Sequence, residues 1–413
     1  MIMVVRSGTS AVIQQDRGTD SPRFPRAPRS GPEGLPRRIL VRAQGCGGVR
    51  MALIRSRALL AATCSAVLFA LSACGSWSSQ AQEPEPQAAA PSAGAGKLER
   101  VKVHGKSLEG NLMGESADPD VSIYLPASYA TDSDRRYPVV YLLHGYTGTD
   151  LSYFGPGGRQ LDQIAERVFA NGSAQEMILV MPNCMNAYGG CMYSNSVTAG
   201  DWETYVADDL VSYVDQNYRT IATRASRGLA GHSMGGYGTI RIGMKRPDVF
   251  NALYALSSCC LNEGTIRPPA GGVTPLAESI KSPEEAQGNR DVMGTLARAA
   301  AWAPNPKNPP FFFDLPTKNG EVLPDVAEKW AANSPVAMLD QYAGNLKKYK
   351  AIALDIGLQD SLLASDQVFV DRLNRFDVPH TFETYEGDHN SGVPQRLEEK
   401  VLPFFSQQLA FGS

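Results

Sequence analysis

Histidine is scarce in this chain, with five residues in 413. Cysteine is little used too: there are seven, with no Cys-x-x-Cys pair and no accompanying histidine cluster. That removes the usual sequence signature of a metal site. The apolar run at 58–71 is too short for a comfortable membrane-spanning helix. A positive charge excess is also missing. The whole chain carries −3, yet residues 1–50 hold nine Arg and no Lys against three acids. With that stretch and with Arg55 and Arg57 set aside, the remainder carries −11. An acidic body of that kind argues against nucleic acid as a partner.

What is present begins with a leader. In 51–74, Arg55 and Arg57 precede the apolar run, and Leu71-Ser72-Ala73 places small residues before Cys74. This is the pattern of a secretory signal peptide. Its ending resembles a bacterial lipobox, which makes Cys74 the expected lipidation site. Cleavage of an ordinary signal after Ala73 or later is the alternative. A signal acts at an N-terminus, so Met51 is the expected start. Residues 1–50 are then over-called, disordered upstream sequence, or else a long N-terminal extension. Residues 75–97 are rich in Ala, Pro, Ser, Gly and Gln and read as a flexible linker. The expectation is an exported protein facing periplasm or cell exterior, touching membrane only through a lipid anchor.

Residues 98–413 hold the fold. Apolar or β-branched runs at 121–125, 138–143, 177–181, 228–230, 252–256, 351–356 and 381–385 read as strands. Helical patterns at 159–170, 201–218, 234–245, 366–376 and 394–409 separate most of them. Unbroken apolar strands alternating with helices predict an α/β fold, a doubly wound and mostly parallel sheet. The runs at 102–107 and 121–125 are joined by a short link and predict an antiparallel start. From about 261 to 349 no clean strand appears, which predicts a cap-like insertion. Its Trp302, Phe311, Phe312, Phe313 and Trp330 either line a pocket or anchor the insertion to the core.

The chemistry centres on Gly231-His232-Ser233-Met234-Gly235. A G-x-S-x-G between a strand and a helix is a nucleophile elbow, with its serine at the apex of a strained turn. A serine hydroxyl needs a base oriented by an acid. Of the five histidines, His104 lies in the first strand region and His380 at the wrong end of the last strand. His144 shapes the loop it opens, and His232 is expected to point away from the serine. His389 follows the last strand, where groups converge on the site of a doubly wound sheet. The acid falls between serine and histidine in chain order. Asp360, just past the 351–356 strand, fits better than Asp355 within it or Asp366, which is placed to cap the next helix. Oxyanion donors are expected at the N–H of Met234 and at Tyr146, with Gly145 and Thr147 as neighbouring candidates. Cys184 and Cys191, seven apart, form a candidate disulfide in an oxidising compartment. Cys259 and Cys260 either bridge each other or pair across to those two. Buried free thiols are the remaining alternative.

Taken as a set, several motifs resemble the esterase D group of α/β-hydrolases, which includes feruloyl and acetyl-xylan esterases, S-formylglutathione hydrolases and mycolyltransferases. They are Tyr124-Leu125-Pro126, Tyr137-Pro138-Val139-Val140-Tyr141-Leu142-Leu143-His144-Gly145, Asp201-Trp202-Glu203-Thr204, Tyr218-Arg219-Thr220, the elbow through Gly238, Gly357-Leu358-Gln359-Asp360 and Gly387-Asp388-His389. The resemblance implies an α/β-hydrolase fold and supports Ser233, Asp360 and His389 as a triad. Members often carry Trp after the histidine pair, whereas Ser391-Gly392 stand here. The implied function is serine-dependent hydrolysis of carboxylic esters, small or carbohydrate-linked, with feruloyl and acetyl esters in view. No cofactor or metal is implied. Acyl transfer to a sugar or lipid hydroxyl, and an inactive binding protein on the same scaffold, are the competing readings.

Overall fold

The computed structural model describes residues 95–155, 157–262 and 275–412. The leader, Cys74 and nearly all of the linker lie outside them. Eight strands form the main sheet: β1 (Lys97–Lys102), β2 (Asp120–Leu125), β3 (Val139–Leu143), β4 (Ile178–Pro182), β5 (Arg227–His232), β6 (Ala252–Leu256), β7 (Ala351–Gly357) and β8 (Thr381–Tyr385). Their spatial order is β1-β2-β4-β3-β5-β6-β7-β8. The β1–β2 and β2–β4 pairs are antiparallel and every later pair is parallel. The expected antiparallel start is therefore present, but its first strand is 97–102 and not 102–107. Register decides this: Lys97 pairs with Leu125 and Lys102 with Asp120, which uses up β2. Lys106–Leu108 is a single helical turn.

The central strands are apolar throughout because both faces are covered. In β3, Val139, Tyr141 and Leu143 enter one core while Val140 and Leu142 enter the other. The same alternation divides Ile178 and Val180 from Leu179 and Met181 in β4. One face is covered by α1 (Leu161–Ala170) and by a C-terminal helical run, 393–408, through Val393, Leu397, Val401 and Phe405. Each such fully buried side chain contributes about 1.5–3 kcal/mol. The other face carries a helical run at 202–217, α2 (Met234–Lys245) and the insertion.

The described part of the insertion is mostly helical, with α3 (Arg290–Trp302), α4 (Pro324–Ala332) and α5 (Pro335–Leu346), but Thr317–Lys318 and Glu321–Val322 pair as a short antiparallel hairpin where no strand was expected. Trp302 and Trp330 are buried, and Trp302 packs 5.6 Å from Tyr237 of α2 and 5.4 Å from Trp330. Arg241 of α2 donates to Asn333 Oδ1 at 2.7 Å and to the buried Glu203 at 2.8 Å. These two tryptophans thus anchor the insertion. Phe311 and Phe313 line a separate cavity of about 390 Å³ whose walls include Leu296 and Leu315 but not Ser233. Past β7 runs α6 (Leu363–Arg375). Among the described residues no helix is long and apolar enough to cross a membrane.

Candidate active site

β5 is flanked by β3 and β6, so its carboxyl end opens at the centre of the sheet edge. Ser233 follows directly with φ 59 and ψ −117, a conformation that side chains rarely adopt. Its N–H donates to Leu256 O at 3.0 Å, and its carbonyl accepts from Tyr237 at 3.0 Å and Cys259 at 3.1 Å. The strained turn is thereby pinned from both sides. The flanking glycines are required by contact. A Cβ on Gly231 would lie 2.3 Å from Gly235 O, and one on Gly235 would lie 1.9 Å from Leu143 O.

Ser233, His389 and Asp360 come together although they leave three different strands. His389 Nε2 lies 2.9 Å from Ser233 Oγ, and its Nδ1 lies 2.8 Å from Asp360 Oδ2. A carboxylate only accepts, so Nδ1 carries the proton and Nε2 is left to receive one from the serine. Asp360 is buried and its Oδ1 accepts from the Leu362 N–H at 2.9 Å. That second bond restrains the carboxylate while its other oxygen faces His389.

His232 departs from expectation. Its side chain lies beside the serine's base, with ring centroids 4.8 Å apart, and not away from it. Its Nε2–H donates to the His389 carbonyl at 2.6 Å, and Nδ1 accepts from Arg159 Nη2 at 3.1 Å. Burial first, then the Arg159 charge and His389, hold its imidazole well below the ordinary histidine range. It is neutral, as both hydrogen bonds require, and it braces the loop that carries His389. His144 bridges the neighbouring loops, Nδ1 donating to Gly145 O and Nε2 accepting the Cys184 N–H, both at 2.9 Å.

Tyr146 and Met234 line the cavity that Ser233 borders. The Thr147 N–H is occupied by Gly189 O at 2.8 Å, which removes it from the donor candidates. The candidate pair Cys184 and Cys191 is unbridged in the structure, with the two side chains in hydrogen-bond contact, as the free-thiol alternative has it. Both are buried free thiols packed among apolar side chains, and Cys191 Sγ accepts the Tyr193 N–H at 3.2 Å. The Cys259 and Cys260 sulfurs lie 2.7 Å apart beside the serine. Among the described residues no group of three or more His, Cys, Asp or Glu is arranged to hold a metal ion.

Asp366 is not the helix cap expected of it. It lies inside α6, buried, and its Oδ1 accepts from the Ser258 N–H at 3.3 Å while Oδ2 has no partner among the described residues. Burial pushes its carboxyl well above the usual range. A carboxyl with a raised native pKa weakens the fold as pH climbs from the unfolded value, about 3.9, through the native one. Asp366→Asn keeps the acceptor and removes that cost. Its Tm should exceed the parent's at pH 8 and match it near pH 4; equal Tm at both would show that Asp366 is not a buried charge.

The cleft has two lobes that meet at Ser233 and His389. The smaller, about 220 Å³, is lined by Tyr146, Thr147, Tyr153, Arg159, His232 and Arg290. The larger, about 630 Å³, is lined by Met192, Met234, Cys259, Leu362, Arg290 and Arg298. No local pattern around Arg159, Arg290 or Arg298 marks them as site residues. Only the folding of α3 over the cleft brings the last two there.

Comparison with known proteins gives a family and a fold. The family described as putative esterase matches residues 114–392. An esterase of Mycobacterium tuberculosis (strain H37Rv), Rv1288, is 27% identical over 285 residues, covering 66% of this chain and 52% of that one. An endo-1,4-beta-xylanase/feruloyl esterase of Xylanibacter ruminicola is 31% identical over 166 residues, covering 40% of this chain and 21% of that one. This chain thus spans about half the length of the first relative and about a fifth of the second. Among solved structures, a ferulic acid esterase superposes with TM-score 0.55 at 22% identity, covering 77% of this chain and 100% of that one. An S-formylglutathione hydrolase from Agrobacterium tumefaciens superposes with TM-score 0.52 at 16% identity, covering 76% and 96%. At those identities the likeness concerns the fold, which is that of α/β-hydrolases.

Proposed function

The chain belongs to the putative esterase family, and from that premise we propose that it is an exported serine esterase acting on carboxylic esters. The observation that carries this reading is the hydrogen-bonded series Ser233 Oγ, His389, Asp360. Ser233 attacks the ester carbonyl as His389 Nε2 takes its proton. Asp360 holds the imidazole in the Nδ1–H form and stabilises the cation that results. The N–H groups of Met234, at the start of α2, and of Tyr146 receive the oxyanion. His389 returns its proton to the leaving alcohol. Water, activated by the same base, then releases the acid and restores Ser233. Feruloyl and acetyl esters of carbohydrates are the substrate classes we favour.

The test is hydrolysis of short-chain p-nitrophenyl esters and of methyl ferulate, beside labelling by a serine-directed fluorophosphonate. Turnover together with labelling supports the reading. Acylation without turnover favours transfer to a sugar or lipid hydroxyl, and a folded protein that neither labels nor turns over is an inactive scaffold. Export is proposed on 51–74 alone. Protein processed in a bacterial host should carry acyl mass on Cys74, and Cys74→Ala should release it from membranes. An unmodified N-terminus beyond Cys74 would end the lipoprotein reading.

A further inference from the structure

We propose that the substrate carries an anionic group, a carboxylate or phosphate, held by Arg290 and Arg298 beside the scissile ester. This rests on the esterase reading for the chemistry, but not for the binding.

The argument starts from charge accounting. The chain beyond Arg57 is strongly acidic, and its arginines are commonly matched to carboxylates. Arg100, Arg135, Arg227, Arg241, Arg246 and Arg396 all form ion pairs. Arg136, Arg219 and Arg224 instead donate to backbone carbonyls; the cleft arginines face open space beside Ser233. Among the described residues neither Arg159 nor Arg290 forms an ion pair. Arg159 instead donates to the neutral His232 at 3.1 Å and lies 4.9 Å from the Tyr153 ring centroid. Arg290 lies over the Tyr146 ring at 5.6 Å. Tyr146 is itself held by its hydroxyl, which donates to Tyr188 O at 2.8 Å. A guanidinium stacked on a fixed ring keeps its fork of donors aimed outward, preorganised for an oxyanion.

Position supports this. Arg290, Gly294 and Arg298 recur every fourth residue, so one face of α3 looks into the larger lobe. Gly294 has no side chain between the two arginines. Arg298 is steadied by Nε–H donation to Gly294 O at 3.2 Å and by the Trp330 ring at 5.3 Å. Arg290 opens the helix, where the dipole disfavours a cation. Arg290 is exposed to the cleft and has no carboxylate among the described residues, so a ligand bound beside Ser233 can supply one. Asp291 is an acid in the lobe's wall, at its exposed rim. Arg290 borders both lobes, so an anion on either the acyl or the alcohol portion of an ester at Ser233 lies on its side of the cleft.

The test uses ester pairs that differ in one charge. Mono-p-nitrophenyl adipate against its methyl ester places the charge on the acyl portion. 4-Acetoxyphenylacetate against its methyl ester places it on the alcohol portion. Affinity is measured by calorimetry on the full chain carrying Ser233→Ala, and kcat/KM on the parent. In at least one pair the anionic member should bind more tightly by about 10- to 100-fold, the size of a charge-assisted hydrogen bond. That preference should shrink as salt is raised. Arg290→Gln with Arg298→Gln should bring the ratio toward unity; each ratio is internal to one protein, so a general loss of stability does not imitate the effect. Equal affinity within both pairs, or a preference that survives the double replacement, would overturn the proposal. Selective binding with no turnover of any ester by the parent would keep the anion site and overturn the esterase reading instead.

Discussion

Ser233→Ala should lower kcat for ester hydrolysis by roughly a million-fold, the loss found when a triad nucleophile is removed from a serine hydrolase. Tm should move little, since the change deletes one hydroxyl from a buried elbow whose backbone is held by Leu256, Tyr237 and Cys259. His389→Ala should cost about as much, and the double replacement no more than either, because the groups act as one unit. Asp360→Asn should cost less, about 10,000-fold, by a different route. The amide can present a donor to Nδ1, which favours the tautomer with its proton on Nε2, facing Ser233 Oγ where an acceptor is needed. Steady-state kinetics beside thermal melts separate these effects. Substantial turnover by folded Ser233→Ala protein would remove Ser233 from the reaction.

Gly235→Ala should be the most damaging single methyl in the described fold. The new Cβ would meet Leu143 O at 1.9 Å, Leu143 C at 2.5 Å and His144 O at 3.0 Å. All three are backbone atoms, and Leu143 belongs to β3, which is paired on both sides. No flexible side chain can move aside, so α2 must lift from the sheet and take Ser233 with it. The cost should exceed about 3 kcal/mol, the upper part of the overpacking range. Gly344→Ala is the control: that glycine lies in α5, is exposed, and a Cβ added there would meet no neighbour within 4 Å. It should stabilise by about 0.5–1 kcal/mol. Urea midpoints for the two proteins decide the matter, and a Gly235→Ala midpoint equal to the parent's would refute the packing argument.

Features of the site that are local in the chain were legible in the sequence. The elbow is a short motif with its strand and helix adjoining it, and Asp360 and His389 each follow a recognisable strand. Features set by distant contacts were not. The direction of His232 depends on the carbonyl of His389, 157 positions away, and the backbone at an elbow does not reveal it. The first strand was displaced because Val101 and Val103 continue an apolar pattern across its end, and only the register with β2 terminates it. The insertion could be read as an interruption, but whether its aromatics face a pocket or a core depends on Tyr237 of α2. Arg290 and Arg298 were invisible for the same reason, since α3 is placed over Ser233 by packing.

β8 is one of the two edge strands, paired only to β7 and partly exposed along its length, with Glu383 tied to Arg396 and Lys400 at its flank. The loop bearing His389 hangs from it. Opening one edge strand costs less than melting the whole sheet, and it removes the base while the elbow and both cores persist. Heat or denaturant should therefore create a native-looking population that has already stopped working. In such a molecule catalysis has its own, lower melting point, and storage half-life is governed by the grip of β8 on β7 and not by the stability of the core.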